Sequence, residues 1–147
     1  MTSPSDEPDL QVGGFSLWVH GREFPDMDDY WDSNWLNVTA RMEASGARVE
    51  TEGPILRIDD LHGFAKDLAT LNQTLKGSVE LKPLEPNLCL SLQGNGLGQI
   101  AVELSITPDH LDQDHVFRFG LDQTYLGPLI TSCEAIIEKY PVRGLDS

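Results

Sequence analysis

The stretch PDMDDYWDSNW, Pro25–Trp35, concentrates four carboxylates, Asp26, Asp28, Asp29 and Asp32, with three large aromatics, Tyr30, Trp31 and Trp35. Asp26, Asp28 and Asp32 fall at alternating positions, as the ligands of a calcium loop do. Such a loop needs Gly at its sixth position and Glu at its twelfth, and here those are Trp31 and Asn37. Paired carboxylates can also perform acid–base hydrolysis, but spacing along a chain does not set their separation in space. The third chemistry is recognition: carboxylates steer a basic partner, and aromatics anchor it at the centre of an interface. A second acidic stretch, DHLDQDH, sets Asp109, Asp112 and Asp114 beside His110 and His115. Its spacing matches no metal motif, and a solvated acidic loop accounts for it. Nothing else announces catalysis. There is no Gly-x-Ser-x-Gly elbow, and GNGLG at 94–98 lacks the helix and Lys-Ser/Thr pair of a phosphate loop.

The charge balance points the same way. Of 147 residues, 24 are acidic and 10 basic, a formal net of −14. Up to Asn34 the chain has eight acids against one base, Arg22, so half of the excess charge lies in its first quarter. That field repels nucleic acid and anionic membranes and attracts a basic protein. No apolar run reaches the roughly 18 residues of a membrane helix. The opening MTSPSDEPDLQV has neither the basic nor the apolar region of a signal peptide, so residues 1–12 are expected to be a loose tail on one domain spanning 13–147, in the cytoplasm. Cys89 and Cys133 fit two buried, reduced thiols.

The elements that must position these loops read from periodicity. Phe15, Leu17 and Val19 alternate, as do Leu36, Val38, Ala40 and Met42, whose opposite face (Asn37, Thr39, Arg41, Glu43) is expected to be wet. ARVETEGPILRI returns as a partner strand weakened by Gly53-Pro54. Leu61, Phe64, Leu68, Leu71 and Leu75 step by three and four, which predicts a helix capped by Asp59 or Asp60 and stopped by Gly77. SVELKPL is a short strand, NLCLSLQ and QIAVELSIT form a hairpin, and VFRFGL is a further strand. A last helix carries Leu126, Leu129, Ile130, Cys133, Ile136, Ile137 and Tyr140, and Pro141 ends it. Pro128 sits badly inside a helix capped at Asp122, so a short turn at Asp122 before a helix opening with Pro128 is preferred. No internal repeat is visible. The predicted fold is α+β: one antiparallel sheet of six or seven strands with two helices on one face.

Three segments carry a family resemblance. DSNWLNVTARM enters a strand through an Asn-Trp-Leu step. LEPNLCLSLQGNGLGQIAVELSI is a central hairpin with Gly-x-Ile-x-Val after its turn. LDQTYLGPLITSCEAIIEKYPVRG opens Asp-Gln-Thr-Tyr-Leu and closes Tyr-Pro-Val-Arg-Gly. Together, over Phe15 to Gly144, they resemble the WapI-like immunity proteins, which bacteria make against the toxic C-terminal domains of wall-associated and contact-delivered proteins. Gly127-Pro128 is the departure. The resemblance implies a cytoplasmic protein that binds and silences a toxin domain, often a nuclease; from the residues themselves no catalysis, cofactor or metal is expected. The expected contacts are Asp26, Asp28, Asp29, Tyr30, Trp31 and Asp32, with Asp109, Asp112 and Asp114 as a second set. A small-ligand or metal-binding module is the alternative that the carboxylates allow.

Overall fold

The computed structural model describes residues 7–144. Its strands form two four-stranded antiparallel sheets rather than one. The first runs in chain order through β1 (Leu10–Val12), β2 (Phe15–Arg22), β3 (Trp35–Ala44) and β4 (Ala47–Arg57), and α1 (Ile58–Thr74) follows. The second runs through β5 (Lys76–Leu81), β6 (Leu88–Asn95), β7 (Gln99–Ile106) and β8 (Val116–Asp122). A 3₁₀ turn, Gln123–Tyr125, then leads into α2 (Leu126–Lys139). The expected single sheet is therefore corrected: among the described residues, four strands followed by a helix occur twice. Alternation fixes which face of a strand is buried but not which sheet it joins, so the division at α1 leaves no mark in the pattern.

The inner faces of both sheets and the apolar stripes of both helices share one buried cluster, with β3 and β4 touching β7 and α1 packed on α2 and β5. Leu36, Val38, Ala40 and Met42 supply the first sheet, as the alternation predicts. In the predicted hairpin Leu88, Leu90 and Leu92 face Ile106, Leu104 and Val102 across the ladder. The loose tail is corrected at its end. Leu10 and Val12 are buried, and β1 pairs with β2; residues 1–6 lie outside the described residues.

The expected wet face of β3 is also corrected, because Thr39 and Arg41 are buried. The Trp18 ring covers the Arg41 guanidinium at 4.9 Å, Glu50 pairs with Arg41 at 2.7 Å, and Thr39 donates to Glu52 at 2.8 Å. Cross-strand partners thus bury each other without a covering layer. Cys89 is half-buried on the outer side of β6, whereas Cys133 is buried in α2 and its thiol is pushed up to about 12 by burial.

Both helix ends differ from expectation. Arg57 is the N-cap of α1, and Asp60 in the first turn accepts the Arg57 N–H at 3.0 Å. At the other end Gly77 lies beyond the helix in β5, and the C-cap is Leu75, in the left-handed conformation (φ 58°). Two bonds hold it there: Leu75 N–H to the Leu71 carbonyl and Gly96 N–H to the Leu75 carbonyl, each 2.7 Å. That contact draws β6 against the helix end, where a Cβ on Gly94 would lie 2.5 Å from the Leu75 carbonyl oxygen and 3.0 Å from Leu71 Cδ1. Gly94→Ala is expected to destabilise the fold by about 1–3 kcal/mol in urea unfolding, since backbone is what must move aside.

At α2 the chain turns first and coils second. Asp122 Oδ1 caps the 3₁₀ turn by accepting Thr124 N–H at 2.8 Å. The helix begins at Leu126, so Pro128 falls in its first turn, where a backbone donor has no intrahelical partner to lose.

Candidate functional site

The Pro25–Trp35 loop connects β2 to β3, and the β4–α1 junction lies beside it. The register explains why. Trp35 opens β3 directly opposite Arg57, the last residue of β4. Arg57 is only 4% exposed. Its guanidinium lies 4.9 Å from the Tyr30 ring centroid, 5.4 Å from that of Trp31 and 5.8 Å from that of Trp35. Nη2 donates to the Tyr30 carbonyl at 2.6 Å, and Nε lies 3.4 Å from Asp59 Oδ1. The Tyr30 hydroxyl donates to Asp59 Oδ2 at 2.9 Å, and this bond holds the phenol above its usual pKa. The three aromatics of the loop thus surround one buried cation that the sequence places more than twenty residues away. A cation against ring faces, withdrawn from water, is strongly held.

Asn34 is the second anchor and is fully buried. Its Nδ2 donates to the Tyr30 and Arg143 carbonyls at 2.7 and 3.1 Å, and its Oδ1 accepts Arg143 N–H at 2.9 Å. Its own carbonyl accepts Ile58 N–H at 2.9 Å, satisfying the first donor of α1. Two more arginines complete the base of the loop. Arg22 donates to the Ser33 carbonyl at 2.8 Å and to the Pro141 carbonyl. Arg143 donates from Nη1 to the carbonyls of Pro25 and Met27 at 2.8 and 2.7 Å.

All three guanidinium groups therefore spend donors on backbone carbonyls. Among the described residues no hydrogen bond or ion pair engages the carboxylates of Asp26, Asp28 or Asp32, and all three are exposed. Asp29 differs: it is half-buried, and its Oδ2 accepts Asp32 N–H at 2.8 Å, so its side chain shapes the turn. Trp31 is 68% exposed, with its ring edge-on to Tyr30 at 5.2 Å. Cations lie under the loop, and anions and one indole lie on it.

Asp109, Asp112 and Asp114 are also exposed but belong to a different structure. Asp109 closes a local turn by accepting Leu111 N–H at 3.1 Å, and Asn87 bonds the carbonyls of Thr107 and Pro108 beside it. None of the described hydrogen bonds of this loop reaches Arg22, Arg57 or Arg143. Arg57, Arg143 and Asn34 escaped the sequence reading. The available signal was that Asn34 and Arg143 lie inside two of the three segments that carry the family resemblance, and these two segments meet here.

Other surfaces offer less chemistry. An open hollow of about 720 Å³ on the second sheet is lined by Gln93, Asn95, Gln99, Gly120, Asp122 and Tyr125. No Ser, Thr, Cys or Lys lines it, and Asn95 and Asp122 already cap their own turns. Among the described residues no group of three or more His, Cys, Asp or Glu is placed to hold a metal ion, and no helix is long and apolar enough to cross a membrane.

Fold and site together define a two-sheet α+β protein that presents a braced acidic loop. The fold is similar to that of the plant transcriptional regulator PBF-2, at 13% identity and a TM-score of 0.52, over 86% of this chain and 75% of that one. A chain of the CdiA-CT/CdiI toxin and immunity complex from Enterobacter cloacae is similar over 82% of this chain and 99% of its own, with 10% identity and a TM-score of 0.46. No curated protein matches by sequence. The chain belongs to the Immunity protein WapI-like family, which matches residues 9–141. It is an immunity protein and not an enzyme.

Proposed function

We propose that this protein neutralises a basic, nuclease-type toxin domain by covering it with the face that the Pro25–Trp35 loop forms. The supporting observation is Trp31. It stays 68% exposed although it packs on Arg57 and Tyr30, and it shares its loop with exposed carboxylates. A large aromatic held rigid in water loses little freedom on binding, which is the profile of an interface anchor. Asp26, Asp28 and Asp32 supply the charged rim, and the net charge of −14 supplies the long-range field. A toxin that cleaves nucleic acid must carry a basic cleft for phosphates, and that cleft is the complement of such a face. The same charge disfavours nucleic acid as the protein's own partner. Asp109, Asp112 and Asp114 form a secondary contact in this reading, and the protein acts where such a toxin does, in the cytoplasm.

The test is the association rate with the toxin domain encoded beside the gene, measured at low and high salt. Replacing both Asp26 and Asp28 with Lys is expected to slow association about tenfold at low salt and to flatten its salt dependence. An unchanged rate and salt dependence would remove the acidic loop from the interface. Asp29 is left in place, because it shapes the loop.

A further inference from the structure

The last described residues, Pro141–Gly144, have no regular secondary structure, yet they are tied to the loop at several points. The Arg143 side chain bonds the carbonyls of Pro25 and Met27, and its backbone exchanges two bonds with the Asn34 amide. Arg22 reaches the Pro141 carbonyl from β2, and Val142 packs on the core. Gly144 has φ 76°, and a Cβ there would lie 2.4 Å from Tyr30 N and 2.9 Å from the Asp29 carbonyl carbon. Only a glycine fits against the loop backbone at that point.

We infer that Pro141–Gly144 is a strap that sets the conformation of the acidic loop, with Arg143 and Gly144 as positioning residues for partner binding. The loop has no helix or strand between Glu23 and Asn34; its own bonds hold the carbonyls of Phe24, Asp29 and Asp32, while donors from other elements hold those of Pro25, Met27, Tyr30 and Ser33. Among the described residues Arg143 is the donor from outside the loop at the Pro25 and Met27 carbonyls, and Asn34 joins the strap to the Tyr30 end. The connection spans more than a hundred residues of sequence, so loop order depends on the chain beyond α2. The consequence for toxin binding rests on the reading of the loop as the toxin-facing surface; the strap itself does not.

Amide hydrogen exchange tests the strap without any partner. In Arg143→Ala and, independently, Gly144→Ala, exchange across 25–34 is expected to speed up about tenfold or more, as local opening becomes easier, while β6 and β7 keep wild-type protection. Unchanged exchange at 25–34 in both variants overturns the proposal. So does loss of protection throughout the protein in both, because the strap would then be part of the global fold. Affinity for the toxin domain encoded beside the gene, measured on the same variants, separates the two ideas. A loosened loop with weakened binding supports both. A loosened loop with wild-type affinity supports the strap and overturns the loop as the toxin-facing surface.

Discussion

Arg57→Ala is expected to destabilise the protein by about 3 kcal/mol, the cost of breaking an ion pair whose guanidinium is buried and whose Asp59 carboxylate is partly exposed. The side chain is almost wholly buried, and it meets Asp59, the Tyr30 carbonyl and three ring faces at once. Alanine would leave the Asp59 carboxylate against apolar rings and open a void between them. Asp59 would keep its bond from the Tyr30 hydroxyl, which holds the loss at the lower end of the range for broken buried pairs. Arg57→Lys retains the charge but not the fork that reaches Tyr30 and Asp59 together, so about 1–2 kcal/mol should remain lost. Urea unfolding of the three proteins, with the midpoint and slope both fitted, checks the order wild type, lysine, alanine.

Trp31→Ala is expected to show the reverse profile. The ring is mostly in water, and its contacts with Arg57 and Tyr30 contribute about 1 kcal/mol or less to folding. Affinity for the toxin domain should nevertheless fall about thirtyfold or more, the effect of removing an aromatic anchor, with the change carried by dissociation. Charge reversal at Asp26 and Asp28 should act on association instead. Wild-type affinity in Trp31→Ala would leave a carboxylate rim as the whole of the interface.

The sequence reveals much of the fold at the level of single elements. The β6–β7 hairpin and the α1 stripe follow from alternation and from steps of three and four, because each pattern reports one buried face. What the patterns omit is everything decided between elements. Two sheets of equal strand number read as one, since alternation carries no sheet label. Thr39 and Arg41 read as solvated, since polarity does not reveal a cross-strand Trp18 or Glu50. The site divides in the same way. The acidic and aromatic composition of Pro25–Trp35 is plain in the sequence, and so is the puzzle of carboxylates beside indoles. Its resolution is a cation: Arg57 draws Tyr30, Trp31 and Trp35 together, Asp29 shapes the turn, and the carboxylates of Asp26, Asp28 and Asp32 stay in water. Arg57 lies in an ordinary strand-to-helix step, and Arg143 beyond the last helix. Neither position marks them as neighbours of the loop; only the β3–β4 register and the return of the chain do.

In the proposed function the braced acidic loop is the surface that meets the toxin. Hydrogen exchange of the wild-type chain, alone and saturated with the toxin domain encoded beside its gene, tests it most directly. Added protection is expected to concentrate in residues 24–34, with a smaller change at 109–115. Protection confined to the outer face of the second sheet, around Gln93 and Tyr125, with the loop exchanging as freely as before, would contradict it.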